Sequence, residues 1–208
     1  MPLTPEAIDA WLPQTQCTRC GFPSCRAYAE AIVAGAADFN QCPPGGDITL
    51  NALAALLHCP PKALNPAYGP TLARQRAVID EPVCIGCRKC LEVCPVDAII
   101  GARQMMHSVL DVECNGCGLC VPVCPVDCIA LLHVVFVSTG PWPEYNQSEA
   151  DHWRRRTEAR RLRLQKIVKP PRTLKKIATT ESERMRAEIR AAVARVRAKK
   201  SARRKGHA

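Results

Sequence analysis

The sequence predicts a small α+β protein, and three observations predict it. A cysteine motif is duplicated at a fixed offset, several stretches outside it read as amphipathic helices, and aromatic residues supply only 4% of 208 residues while cysteines number 14. With so few large side chains, a conventional core cannot hold every part of the chain. The length leaves room for two or three small domains, expected at residues 1–72 (helical), 73–137 (the cysteine repeat) and 138–208 (a basic tail).

The helices come first in the chain. Thr4 followed by Pro5 reads as an N-cap and first turn, with a helix running to about Trp11. A second helix is expected over Arg26 to Ala36, RAYAEAIVAGA, with its positive end beside a group of cysteines. A third is expected from about Ile48 to Leu57, placing Leu50, Leu53, Ala54 and Leu57 on one face and stopping at Pro60 and Pro61. Among them lie Cys17, Cys20, Cys25 and Cys42, spaced C-x2-C-x4-C-x16-C. Four thiolates suit one metal centre; on spacing alone, an iron–sulfur cluster and a structural zinc both remain open.

The repeat is more specific. Val83 to Ile99, VCIGCRKCLEVCPVDAI, and Glu113 to Ile129, ECNGCGLCVPVCPVDCI, are identical at 10 of 17 positions at a constant offset of thirty. Each copy reads C-x-x-C-x-x-C-x-x-x-C-P. In two-cluster ferredoxins the fourth cysteine of such a run ligates the other cluster. Cys84, Cys87, Cys90 and Cys124 are therefore expected to hold one 4Fe-4S cluster, and Cys114, Cys117, Cys120 and Cys94 its partner. Gly86 and Gly116 allow the backbone to bend close to sulfur, and Pro95 and Pro125 fix the chain after the crossing cysteine. Val93, Val96, Ile99, Val123, Val126 and Ile129 supply an apolar shell. Zinc is the alternative, but its sites usually pair C-x-x-C knuckles across a longer loop. With the first group, twelve cysteines suit three 4Fe-4S clusters, leaving Cys59 and Cys128 as spectators.

No secretory signal is visible, and the longest apolar run, IALLHVVFV at 129–137, is too short to span a bilayer. A cytoplasmic chain without its own membrane span is expected, and in a reducing compartment the cysteines point to metal rather than disulfides. No phosphate loop, dinucleotide fingerprint or catalytic triad appears. None of His58, His107, His133, His152 and His207 belongs to a ligand constellation. The composition suits an electron carrier with no substrate site of its own.

The charge is divided. Residues 149–208 hold 21 Lys/Arg against 6 Asp/Glu, or +15, which leaves −5 for residues 1–148. Thr180 with Glu183 reads as a capping box, followed by a helix with Met185, Ile189, Val193 and Val196 on one side. A preceding basic segment, HWRRRTEARRLRLQKIVK, is separated from it by Pro170 and Pro171. Such a tail can lie on an anionic membrane surface or acidic partner, bind nucleic acid, or stay solvated. It can also fold back on the acidic head or steer redox partners toward it.

The order LPQTQCTRCGFPSCRAYAEAI, NQCPPGGD, CIGCRKC and CNGCGLC resembles the B subunit of Rnf-type (Rsx-type) electron transport complexes over roughly residues 3–133. The resemblance implies an iron–sulfur protein on the cytoplasmic face of the inner membrane, within a complex coupling electron flow between ferredoxin and NAD to ion movement. It implies 4Fe-4S ligation by Cys17, Cys20, Cys25 and Cys42, beside the eight cysteines of the repeat, with the other members of the complex as partners. The family's apolar membrane anchor ahead of the LPQ stretch is expected to be lacking here, and the basic tail lies outside the family pattern. A free soluble ferredoxin serving cytoplasmic reductases, and a redox protein held on nucleic acid by its tail, are the competing readings.

Overall fold

The structure is a computed structural model and describes residues 3–71, 73–134, 146–166 and 172–205. Its elements are α1 (Pro5–Asp9), α2 (Cys25–Val33), α3 (Gly46–Leu56), β1 (Gln75–Ile79), α4 (Lys89–Val93), β2 (Ile99–Gly101), β3 (His107–Val109), β4 (Ile129–His133), α5 (Gln147–Gln165) and α6 (Arg172–Lys205). They divide into two compact units. The first is Met1–Arg76 with Asn115–Gly118 and Leu131–Thr157; the second is Ala77–Cys114 with Leu119–Ala130 and Glu158–Ala208. The mixture of helices and small sheets is the α+β class expected.

In the first unit, local signals set the helices and one apolar core joins them. The Thr4 hydroxyl accepts the Ala7 N–H at 3.3 Å, and the Ser24 hydroxyl caps α2 by accepting the Ala27 N–H at 3.0 Å. Ile8, Leu12, Tyr28, Ile32, Phe39, Leu50 and Leu53 form the core, together with Cys25 and Cys42. Leu50, Leu53 and Ala54 face it from α3 as the periodicity requires. The Tyr28 hydroxyl donates to the Asp38 carbonyl at 2.8 Å and accepts the Gln41 N–H at 3.1 Å, which fixes the chain just ahead of Cys42. Trp153 of α5 is 1% exposed; the Arg74 guanidinium lies 5.5 Å from its ring centre and 2.9 Å from Glu149.

The second unit is built on the repeat. β2 and β3 pair antiparallel, Ile99 with Val109, Ile100 with Ser108 and Gly101 with His107. β4 pairs with β1 in a separate two-stranded sheet. The offset of thirty that relates the cysteine motifs also relates Ile99 to Ile129 and Ala77 to His107, so the duplication extends to the strands. Val96, Ala98, Ile99, Val126 and Ile129 are buried. At Gly86, with φ +66°, an added Cβ would lie 2.5 Å from the Met105 backbone N and O, so this turn requires glycine.

The tail differs from expectation at one boundary. α6 runs helical from Arg172 through Thr180, so Thr180 is not the start of that helix; the backbone turn continues upstream of the expected cap. Met185, Ile189, Val193 and Val196 are half-buried while most of their neighbours are exposed, in line with one apolar side. In the second unit Arg103 pairs with Glu188 of α6 at 2.8 Å, and Arg160 and Arg163 of α5 pair with Asp97 at 2.6 and 2.8 Å. Pro170, Pro171, residues 135–137 and His207 lie outside the described residues. No described helix is long and apolar enough to cross a membrane.

Candidate metal centres

The first unit brings Cys17, Cys20, Cys25 and Cys42 into one electrostatic neighbourhood. Cys25 opens α2 and Cys42 directly precedes the single turn Pro43–Gly45; both are buried, whereas Cys17 and Cys20 are half-buried. Burial pushes the Cys25 thiol well above its ordinary value, and Cys42 adds to the shift. Burial likewise raises Cys42, with contributions from Cys17 and Cys20, and burial raises Cys20 beside Cys17. Thiols in such a place stay protonated unless a metal holds them as thiolates, because a coordinated thiol is deprotonated outright.

A buried polar relay supports this site. Arg154 of α5 donates to Asp9 at 2.7 Å, and Gln14 Nε2 donates to Asp9 Oδ1 at 3.0 Å. Gln16 Nε2 donates to Gln14 Oε1 at 2.9 Å, and Gln16 Oε1 accepts the Cys25 N–H at 2.9 Å. Gln14, Gln16 and Thr18 all take left-handed backbone conformations, with φ of 59°, 55° and 61°. Non-glycine residues hold such angles at a cost, and they concentrate where a site dictates the backbone. Asn115 joins the unit by donating to the Thr15 carbonyl at 2.8 Å. The amphipathic pattern does not reveal these residues; the nearest sequence signal is two glutamines inside a buried-looking LPQTQC stretch.

In the second unit, Cys84, Cys87, Cys90 and Cys124 line one small, mostly apolar space, with Val126 and Ile129 among its walls. Burial raises Cys87, which also feels Cys124 and Cys84, and burial pushes Cys90 up to about 12 with Cys87 and Cys84 adding. Backbone N–H groups point at the sulfurs: His107 donates to Cys84 Sγ and Cys128 to Cys124 Sγ, each at 3.4 Å. The matching positions of the other copy do the same, with Ala77 donating to Cys114 Sγ at 3.4 Å and Ala98 to Cys94 Sγ at 3.2 Å. Cys120 is pushed up to about 12 by burial, then by Cys114 and Cys94. Cys117 belongs to the segment Asn115–Gly118 of the first unit, where its N–H donates to Asn115 Oδ1 at 3.4 Å.

Two residues expected to be bystanders line the same space. His107, 1% exposed, places Nδ1 3.4 Å from Cys90 Sγ, and burial holds its imidazole below the usual value. Cys128 lies with its Sγ 3.5 Å from that of Cys124, so it is buried as expected but is not remote from the ligands. Cys59 packs against the first unit's core.

The donor set fits an iron–sulfur cluster. Among the described residues no three His, Cys, Asp or Glu side chains are placed to hold a single metal ion. Four thiols instead ring a space with N–H donors aimed at sulfur, an arrangement suited to a polynuclear, electron-rich group. The fold and its sites thus define an iron–sulfur protein. Residues 77–131 match the family described as "4Fe-4S dicluster domain", and residues 12–44 match "Putative Fe-S cluster". A relative from Alkalilimnicola ehrlichii is 55% identical over 140 residues, covering 66% of this chain and 75% of the relative. One from Thiobacillus denitrificans is 56% identical over 105 residues (50% and 56%), and one from Shewanella sp. strain MR-4 is 56% identical over 129 residues (62% and 66%). Each of the three is named as the B subunit of an ion-translocating oxidoreductase complex, and the chain belongs to that family. The chain spans a little over half the length of the first relatives it matches, 56% and 58%. No solved structure matches it.

Proposed function

We propose that the chain relays single electrons through three 4Fe-4S clusters, as the B subunit of an Rnf-type complex on the cytoplasmic face of a membrane. Cys17, Cys20, Cys25 and Cys42 hold one cluster, Cys84, Cys87, Cys90 and Cys124 the second, and Cys94, Cys114, Cys117 and Cys120 the third. The domains follow as residues 1–72, 73–137 and a tail at 138–208. The observation that carries the reading is the four-cysteine space of the second unit, with His107 and Cys128 N–H groups on its sulfurs and the same geometry at Ala77 and Ala98.

Bound there, the cluster supplies one-electron redox chemistry at low reorganisation. The residues do the rest. The cysteines fix position, the N–H donors stabilise the charge that reduction adds, and Val96, Ile99, Val126 and Ile129 keep water away. Partners are the other members of the complex, with electrons passing between ferredoxin and NAD and the energy driving ion transport. The basic helices α5 and α6 add a surface for anionic lipid or acidic proteins.

Anaerobic fractionation of native cells tests the reading, with iron and acid-labile sulfide counted in each pool. About twelve irons per chain are expected for three such clusters, recovered with membranes through a high-salt wash. A full iron count in the salt-released soluble pool would instead support a free ferredoxin, and release by nuclease a protein held on nucleic acid. A count near one metal per four cysteines, without sulfide, would overturn the cluster assignment in favour of zinc.

A further inference from the structure

The two cysteine sets of the repeat are related by an offset of thirty, so each residue beside one set has a counterpart beside the other. The buried counterparts differ in one direction. His107 corresponds to Ala77: both donate a backbone N–H to sulfur, but His107 alone adds a ring nitrogen, 3.4 Å from Cys90 Sγ. Once Cys90 is a thiolate ligand it has no proton to give, so a bond between the two requires the ring proton on Nδ1. The Ala102 carbonyl is a second acceptor acting on the ring, and a ligating Cys90 thiolate, which is charged, outcompetes it for the proton.

Cys128 corresponds to Ala98 and brings an S–H within 3.5 Å of Cys124 Sγ. Arg88 and Lys89 correspond to Gly118 and Leu119. Arg88 has φ +66° where its counterpart Gly118 has +76°, so an arginine occupies a left-handed position that the other copy gives to glycine. Beside the second set, Asn115 Oδ1 engages the Cys117 N–H, and Glu113 stands where the first copy has Val83. Glu92 against Pro122, Asp80 against Leu110 and Arg76 against Met106 run the other way, but none of these charges is buried and solvent screens them. Arg88 and Lys89 are exposed too, so the buried imidazole carries the largest part.

We propose that the two sites are inequivalent by construction: the site of Cys84, Cys87, Cys90 and Cys124 has the more positive potential and holds an electron entering the module, with His107 the main determinant. Hydrogen bonds to ligand sulfur and nearby positive charge stabilise the reduced state, which bears one more negative charge. The inference rests on the module carrying two clusters.

The test is an EPR-monitored redox titration of the full-length anaerobic protein, with iron counted on every sample. Cys25→Ala, which removes a ligand of the N-terminal set, identifies the two components that belong to the module. In His107→Leu the more positive of those two should move down by at least tenfold in the electron's partition, ~59 mV for a one-electron couple, while the other stays. His107→Asn, which keeps an N–H near the Nδ1 position, should recover part of the shift. Arg88→Gly with Lys89→Leu should move the same component down by less. The proposal falls if His107→Leu leaves both module components in place at full iron content, or if the more negative one moves. A low iron count in the unaltered protein would instead undo the cluster reading, and the two failures are thereby distinct.

Discussion

The N-terminal site and the repeat hold their cysteines by different physics. Around Cys25 and Cys42 the side chains of Ile8, Leu12, Tyr28, Leu50 and Leu53 pack into one apolar core, and polar side chains finish the job: Gln16 takes the Cys25 N–H and Tyr28 anchors the segment before Cys42. In the repeat the strands β2 and β3 are three residues each, the buried apolar side chains are small, and the groups aimed at sulfur are almost all backbone N–H. One set of cysteines is held by side chains in an apolar core, the other by backbone N–H groups.

The largest test of that contrast is removal of iron. Chelation under mild oxidation should erase hydrogen-exchange protection across β2 and β3 while α2 and α3 keep most of theirs, because the repeat loses its organising group and the helices keep their core. Equal loss in both regions, or retention in both, would break the comparison.

A core substitution should do the reverse. Leu53 is fully buried in the first unit, and Leu53→Ala should cost about 2–5 kcal/mol there, measured by chemical denaturation followed at the helices. The EPR components of the repeat should persist at denaturant concentrations where the N-terminal component is already lost. Simultaneous loss of all components would mean that the two sites unfold as one.

The same contrast explains what the sequence made legible. Cysteine spacing is local and survives as a pattern, so twelve candidate positions can be named from it; the structure brings Cys17, Cys20, Cys25 and Cys42 near one another and puts Cys84, Cys87, Cys90 and Cys124 around one space. The helices α1 to α3 follow from caps and periodicity to within a few residues. The relay Arg154–Asp9–Gln14–Gln16 is not legible, because Arg154 and Asp9 lie 145 residues apart and no period links them. His107 escapes for a narrower reason. The cysteine motifs match from Val83 onward, and only extending the offset back to Ala77 exposes a histidine in one copy against an alanine in the other. α6 begins upstream of Thr180 because helical propensity in the preceding basic residues outlasts a local capping signal.

The smallest effect sharpens the comparison most. Gln16→Leu keeps side-chain bulk but removes the oxygen that accepts the Cys25 N–H at 2.9 Å, leaving a buried donor at the start of α2 without its partner. The cost should be about 1–3 kcal/mol, seen as a lower denaturation midpoint for the first unit and faster loss of the N-terminal EPR component on air exposure. In the repeat Ala77 and Ala98 donate to sulfur through the backbone whatever side chain they carry, and the comparable side-chain acceptor, Asn115 Oδ1, takes the Cys117 N–H at a longer 3.4 Å. If Gln16→Leu left the N-terminal site unchanged, the polar relay would be a consequence of that site's backbone rather than a cause of it, and the left-handed angles at Gln14, Gln16 and Thr18 would remain as its determinants.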